Sequence, residues 1–211
     1  MTRILIFANG ELPDLAYARR LPQPGDIIIC ADGGARHALE LGLTPHFIVG
    51  DLDSLPEGFQ PSAETQIIQF PADKNETDLE LAVDHALGLH PAEIVIAAAL
   101  GGRLDQTLGN ISLLADSKLM ACDLRLHDGV EEIFFCRDQA QVKGRSGDIV
   151  SLIPWGGEVS GVVTENLKWP LRSEILYPYK TRGISNEMLG EEASVKINAG
   201  LLLIVHRIKN L

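Results

Sequence analysis

Four short strand-like runs, the first of them without polar alternation, each lead into a cluster of acidic residues, and they restrict what this chain can fold into more than any other feature. Residues 26–31 (DIIICA) lead into Asp32-Gly33-Gly34, and residues 47–49 into Gly50-Asp51-Leu52-Asp53-Ser54. Residues 66–70 precede Asp73-Lys74-Asn75-Glu76-Thr77-Asp78, and residues 93–100 precede Gly101-Gly102-Arg103-Leu104-Asp105-Gln106. Strands that lack alternation are buried on both faces, as in a parallel sheet covered by helices. Helical segments fall between these runs. Residues 34–41 are stopped by Gly42. Thr77 opens a helix in which Thr77 and Glu80 match a capping box and Leu79, Val83, Ala86 and Leu87 supply an apolar face. Residues 105–115 are expected to put Leu108, Ile111 and Leu114 on one side. With residues 4–8 as a first strand and 12–20 as a first helix, the order is repeated β-α alternation.

The pattern changes near residues 118–123. Residues 123–128 alternate polar and apolar, Asp128-Gly129 is a hairpin turn signal, and residues 130–136 form the returning strand. Short strands follow at 148–153, 158–163, 194–197 and 201–206, joined by glycine-rich segments. This predicts an antiparallel β-sandwich. The fold class is therefore α/β, a Rossmann-like parallel-sheet domain at 1–120 followed by a β-sandwich domain at 121–211.

Composition narrows the function. The 211 residues are 45% hydrophobic and 22% charged, as in an ordinary folded protein. The net charge of −11, with no basic stripe, excludes nucleic acid as an expected partner. No apolar run is long enough to span a membrane, and the N-terminal run reads as a strand, not a signal peptide. Cys30, Cys122 and Cys136 form no paired motif, which predicts reduced thiols in the cytoplasm.

In an open parallel sheet, ligands bind beyond the carboxyl ends of the strands, where all four clusters fall. Each has a structural explanation alone, such as a turn, a cap or a solvated acid. Together they bring carboxylates to one edge, where they repel unless a cation intervenes. Hard oxygen donors of this kind suit Mg²⁺ shared with substrate phosphates. Gly33-Gly34 and Gly101-Gly102 let backbone N–H groups approach an anion beside helix N-termini. Arg103 offers a fork for phosphate, with Lys74 as a second cation. The phosphate loop G-x-x-x-x-G-K-S/T, the dinucleotide motif G-x-G-x-x-G and zinc-ligand histidine spacing are absent.

Five segments, in this order, resemble the thiamine pyrophosphokinase family: Ala31-Asp32-Gly33-Gly34-Ala35, Gly50-Asp51-Leu52-Asp53-Ser54, Asp73-Lys74-Asn75-Glu76-Thr77-Asp78, Gly101-Gly102-Arg103-Leu104-Asp105 and Gly183-Ile184-Ser185-Asn186-Glu187. The resemblance implies transfer of a diphosphate from MgATP to the thiamine hydroxyl, leaving AMP. It also implies a homodimer with the active site at the subunit interface. By the same resemblance, Asp51, Asp53 and Asp78 hold the metal. Asp32, Gly33, Gly34, Lys74, Thr77, Gly102, Arg103 and Gln106 contact ATP. Asp78, Arg103 and Asp105 are catalytic, with the hydroxyl proton passing to either Asp105 or Asp78, and Ser185 and Asn186 contact thiamine. Gln106 departs from the His that many bacterial relatives carry. Trp155 and Trp169 are the candidates for stacking on thiamine. A related diphosphotransferase acting on a pterin alcohol and a non-catalytic sensor are the alternatives.

Overall fold

The computed structural model describes residues 2–209. The chain divides into two compact units, Met1–Gly129 and Val130–Leu211.

The first unit is built on six parallel strands: β1 (Arg3–Phe7), β2 (Ile27–Ala31), β3 (Phe47–Gly50), β4 (Gln66–Gln69), β5 (Glu93–Ala97) and β6 (Asp123–His127). Their order is β6-β5-β1-β2-β3-β4. The central strand β1 is closed on both faces, with Ile4, Leu5, Ile6 and Phe7 all 0% exposed. The chain moves outward from β1 through β4 and then crosses to the opposite side of β1 for β5. The loops after β1 and β5 therefore part in opposite directions, which opens a crevice at their carboxyl ends.

Helix α1 (Leu15–Ala18) is shorter than the predicted 12–20 span, because it cannot start before Asp14. Pro13 precedes that residue, and the Asp14 side chain accepts from the Tyr17 N–H as an N-cap. Helix α2 (Ala35–Glu40) follows a short 3₁₀ turn at Asp32–Gly34. Helix α3 (Asp78–Gly88) begins where expected, with Thr77 Oγ1 accepting from the Glu80 N–H at 3.2 Å and Leu79, Ala82, Val83 and Ala86 buried. In helix α4 (Leu104–Leu113) Ile111 is buried, but Leu108 is 47% exposed, against expectation. The inner face of its first turns is polar instead. Thr107 Oγ1 donates to the Gly101 carbonyl and Asn110 Nδ2 to the Ala99 carbonyl.

The alternating run at 123–128 is β6, and it joins the parallel sheet beside β5, with Glu93 opposite Asp123. Its period of two arises because Leu124 and Leu126 are buried while the residues between them are not.

The second unit pairs two antiparallel sheets. One runs β12-β9-β14-β7, from β7 (Glu131–Cys136), β9 (Ile149–Pro154), β12 (Asn186–Glu187) and β14 (Leu202–Arg207). The other runs β11-β10-β13-β8, from β8 (Gln139–Lys143), β10 (Val159–Glu165), β11 (Arg172–Leu176) and β13 (Glu192–Lys196). Phe134, Val150, Leu152 and Ile204 of the first share a core with Val142, Val162, Leu176 and Val195 of the second. This is the sandwich arrangement in which inner faces interdigitate. The three cysteines are free, and burial pushes the Cys30 thiol up to about 12 and Cys136 to about 11. No described helix is long and apolar enough to cross a membrane.

A polar network is buried in this second unit. Asp148 (1% exposed) accepts from the N–H groups of Arg145 and Lys209 at 2.9 and 3.0 Å, and its Oδ2 lies 3.1 Å from His206 Nε2. His206 Nδ1 lies 3.6 Å from Glu132 Oε2. Burial alone would lower the His206 pKa, but the contacts with Glu132 and Asp148 outweigh it and hold the imidazole above its ordinary value. For Asp148 burial acts upward, yet the two N–H donors and His206 leave the carboxyl below its usual range. A raised histidine pKa contributes stability below its unfolded value of about 6.5, lost as pH rises through the folded value. A lowered aspartate pKa contributes above about 3.8, lost as pH falls through the folded value. Urea unfolding is thus expected to show stability falling as pH rises above the ordinary histidine value of about 6.5. Asp148→Asn should lower stability by about 2–4 kcal/mol and flatten that fall. An unchanged pH slope in the variant would contradict the pairing.

Candidate active site

The carboxyl ends of β1 to β5 enclose a cleft of about 960 Å³, lined among others by Asn9, Glu11, Asp32, Asp51, Lys74, Asp78, Gly102 and Arg103. That volume is at the upper end of what small-molecule sites occupy.

Three of its acids converge. Asp32 follows β2, Asp51 follows β3, and Asp78 starts α3, and one oxygen of each lies within 4.8 Å of the others. Their approach depends on Gly50 at the end of β3, with φ of +151°. A Cβ there would stand 2.9 Å from Asp32 Cβ and 3.0 Å from Asp78 Oδ1, closer than atoms tolerate. Asp32 itself is held at a φ of +44°, in the left-handed region that Asp and Asn enter more readily than other side chains. It is 4% exposed, and its Oδ1 is buried without a hydrogen-bond partner. Asp78 Oδ1 is paired with the Lys74 ammonium at 2.9 Å. Three converging carboxylates, one of them with a buried oxygen left without a hydrogen-bond partner, fit a hard divalent cation such as Mg²⁺, which prefers a few carboxylates together with water and phosphate.

The charges follow this geometry. Burial raises the Asp32 carboxyl above its ordinary range, and the Asp78 charge adds to the effect. The Asp53 N–H, donating to Asp51 Oδ1 at 3.2 Å, together with Lys74, holds Asp51 low. Contact with Asp78, then Asp51, raises Lys74. Asp53 lines the same cleft but stands outside the converging trio, its Oδ1 accepting from the Ser54 hydroxyl at 2.8 Å.

Thr77, Gly102, Arg103 and Gln106 also line the cleft. Gly101 and Gly102 have φ of +80° and +66°, which turns the chain from β5 into α4. Arg103 grips Asp105 through two hydrogen bonds, Nε to Oδ1 at 3.1 Å and Nη2 to Oδ2, with both side chains exposed. Asp105 is thereby tied to the guanidinium in the exposed first turn of α4. Gly33 and Gly34 lie under the cleft instead of on its wall. A Cβ on Gly34 would meet the Phe7 carbonyl, and one on Gly33 would meet the Asn9 side chain.

Ser185 and Asn186 lie in the second unit. Asn186 is 4% exposed, and it brackets Trp169: its Oδ1 accepts from the Trp169 N–H at 3.0 Å, and its Nδ2 donates to the Trp169 carbonyl at 2.7 Å. Trp169 is 50% exposed, whereas Trp155 packs edge-on against Phe135.

Sequence reasoning missed Asn9, Glu11, Arg36 and Asn110, all of which line the cleft. Asn9-Gly10 read only as the end of a strand, although it is the fifth strand end at the same edge. Arg36 Nη2 donates to the carbonyls of Asn9 and Gly10 at 3.1 and 2.8 Å. Asn110 was within reach, since it stands four residues after Gln106 on the same helical face.

Two family profiles match the chain: "Thiamin pyrophosphokinase, catalytic domain" over residues 18–125 and "Thiamin pyrophosphokinase, vitamin B1 binding domain" over residues 138–202. Thiamine pyrophosphokinase of Bacillus subtilis (strain 168) is 30% identical over 213 residues, spanning 97% of this chain and 98% of that protein. A crystal structure of the Bacillus subtilis enzyme superposes with a TM-score of 0.87 at 25% identity, covering 99% of this chain and 100% of the other. Thiamin pyrophosphokinase from Candida albicans shares the fold, with a TM-score of 0.80 at 18% identity over 99% of this chain and 89% of its own.

Because the folded-state pKa of Asp32 is raised, its ionised form costs stability at neutral pH. Asp32→Asn keeps the shape and tolerates the backbone angle. In EDTA the variant should melt a few degrees above the wild type, and it should lose stabilisation by added Mg²⁺. A variant that melts lower in EDTA would contradict the repulsion inferred here.

Proposed function

The chain belongs to the thiamine pyrophosphokinase family, and we propose that the first unit, to which β6 belongs, binds MgATP and carries out catalysis, while the second unit binds thiamine and forms a homodimer. The chain is a thiamine diphosphotransferase that makes thiamine diphosphate, and ATP is the co-substrate that such a kinase requires. The observation that carries the site assignment is the convergence of Asp32, Asp51 and Asp78 in the strand-end cleft, with Asp32 Oδ1 buried and without a hydrogen-bond partner.

In this reading Asp32, Asp51 and Asp78 hold Mg²⁺ beside the phosphates, and Asp53 supports the loop that carries Asp51. The bound ion neutralises phosphate charge. Gly102, Thr77, Gln106 and Lys74 flank the nucleotide. The thiamine hydroxyl oxygen attacks the β-phosphorus, the bond from that phosphorus to the bridging oxygen of the α-phosphate breaks, and AMP departs with the bonding electrons. Asp105 has both oxygens engaged by Arg103, so it positions the guanidinium, and Asp78 is left to accept the hydroxyl proton. Arg103 stabilises the charge that develops on the transferring group. Positioning and charge neutralisation supply most of the rate. The acidity of the protein favours a cationic acceptor. Three free thiols, two of them buried, are consistent with a cytoplasmic location.

Phosphorus NMR of the protein with ATP, Mg²⁺ and thiamine should show AMP and a diphosphate ester rising together. ADP with a monophosphate ester would overturn attack at the β-phosphorus. Arg103→Ala is expected to lower kcat/KM by about 10²-fold or more.

The dimer reading places Ser185 and Asn186 of one subunit at the cleft of the other. Mixing Arg103→Ala with Asn186→Ala, each verified as folded by its thermal transition, should then restore roughly a quarter of the wild-type sites through hybrid dimers. Absence of any recovery on mixing, with subunit exchange demonstrated, would contradict a shared site.

A further inference from the structure

One cation of the cleft reaches into the acid trio itself. Lys74 leaves the segment between β4 and α3, its side chain is 11% exposed, and its Nζ lies 2.9 Å from Asp78 Oδ1 and 3.5 Å from Asp51 Oδ2. The closer contact is a charge-assisted pair, and it is the largest influence raising the Lys74 ammonium above its ordinary value. A lysine ammonium is a compact charge on a flexible stem, able to leave such a contact at small steric cost. Mg²⁺ would need oxygens of the same carboxylates at about 2.0–2.1 Å. An ammonium and a divalent ion drawn to the same oxygens repel each other.

We propose that Lys74 is an internal counter-cation of the acid site, holding Asp51 and Asp78 together when no metal is bound and yielding its place when a divalent cation enters. The proposal rests on the reading of the trio as the metal site. It assigns Lys74 a positioning role with two consequences. Without nucleotide, metal affinity is held down, because each ion that binds must evict an ammonium. With nucleotide, the displaced ammonium finds new anions in the phosphates, so metal and nucleotide bind cooperatively and each strengthens the other by the same factor. The Oδ1 of the third acid, Asp32, has no hydrogen-bond partner until the metal enters, and it defines the position that only the metal can satisfy.

The test uses Mn²⁺ as the probe, followed by calorimetry and by the paramagnetic relaxation of water protons, on the whole protein without nucleotide. Lys74→Met and Lys74→Gln remove the charge while keeping most of the stem. Both should bind Mn²⁺ roughly tenfold more tightly than the wild type. Both should melt below the wild type in EDTA, with the gap closing at saturating Mn²⁺. A non-hydrolysable ATP analogue should raise Mn²⁺ affinity less in the variants than in the wild type. If the wild type binds Mn²⁺ measurably and both folded variants bind it equally or more weakly, the counter-cation role is wrong. If wild type and Asp78→Asn bind Mn²⁺ alike, or neither binds it, the reading of the trio as a metal site fails and the proposal fails with it.

Discussion

The interaction on which the rest of this structure depends is a repulsion. Asp32, Asp51 and Asp78 bring an oxygen each within 4.8 Å of one another, and like charges at that range disfavour the folded state. The chain withstands this because each acid is fixed at the end of a strand or the start of a helix. Strands β1, β2 and β3 are closed by Ile4, Leu5, Ile6, Phe7, Ile29 and Ile48, all 0% exposed. Buried apolar side chains of this size contribute about 1.5–3 kcal/mol each, so a core of this kind can hold an unfavourable edge. Gly50 permits the close approach, and α3, capped by Thr77, delivers Asp78 from the opposite side. Asp32 carries the cost of this edge, since burial raises its carboxyl, while Lys74 offsets the charges of Asp51 and Asp78.

The topology decides where that edge lies. Crossing from β4 back to β5 on the far side of β1 leaves a crevice between diverging loops. The residues that fill it come from five strand ends, so no short stretch of sequence contains the site. Each segment alone is ordinary, and the order of the segments carries the information.

Much of this was legible in the sequence for a physical reason. Strands buried on both faces must be continuously apolar, so β2 and β5 could be read from their composition, and the Thr77 cap marks α3 by its hydrogen-bonding chemistry. The glycine and acid clusters marked the strand ends. Tertiary packing was less legible. Leu108 follows the apolar spacing of a core residue but is half exposed, because the inward face of α4 is used by Thr107 and Asn110 to bond loop carbonyls. Among the acids, spacing could not show that Asp32 joins Asp51 and Asp78 while Asp53 turns to Ser54. That choice is made by the φ of Asp32 and by the missing side chain of Gly50. Gly33 and Gly34 signalled an anion cradle, yet their lack of a side chain is required by Asn9 and the Phe7 carbonyl. Asn186 matched a family motif, and its visible work is to hold the backbone of Trp169 at both ends.

The central claim is that the three converging carboxylates hold the metal that accompanies the transferred diphosphate. Crystals grown with Mn²⁺ and a non-hydrolysable ATP analogue test it most directly, through the anomalous signal of the metal. An anomalous peak ligated by Asp32, Asp51 and Asp78 together with phosphate oxygens is expected. A well-occupied metal bound to the phosphates but ligated by none of the three acids would contradict it.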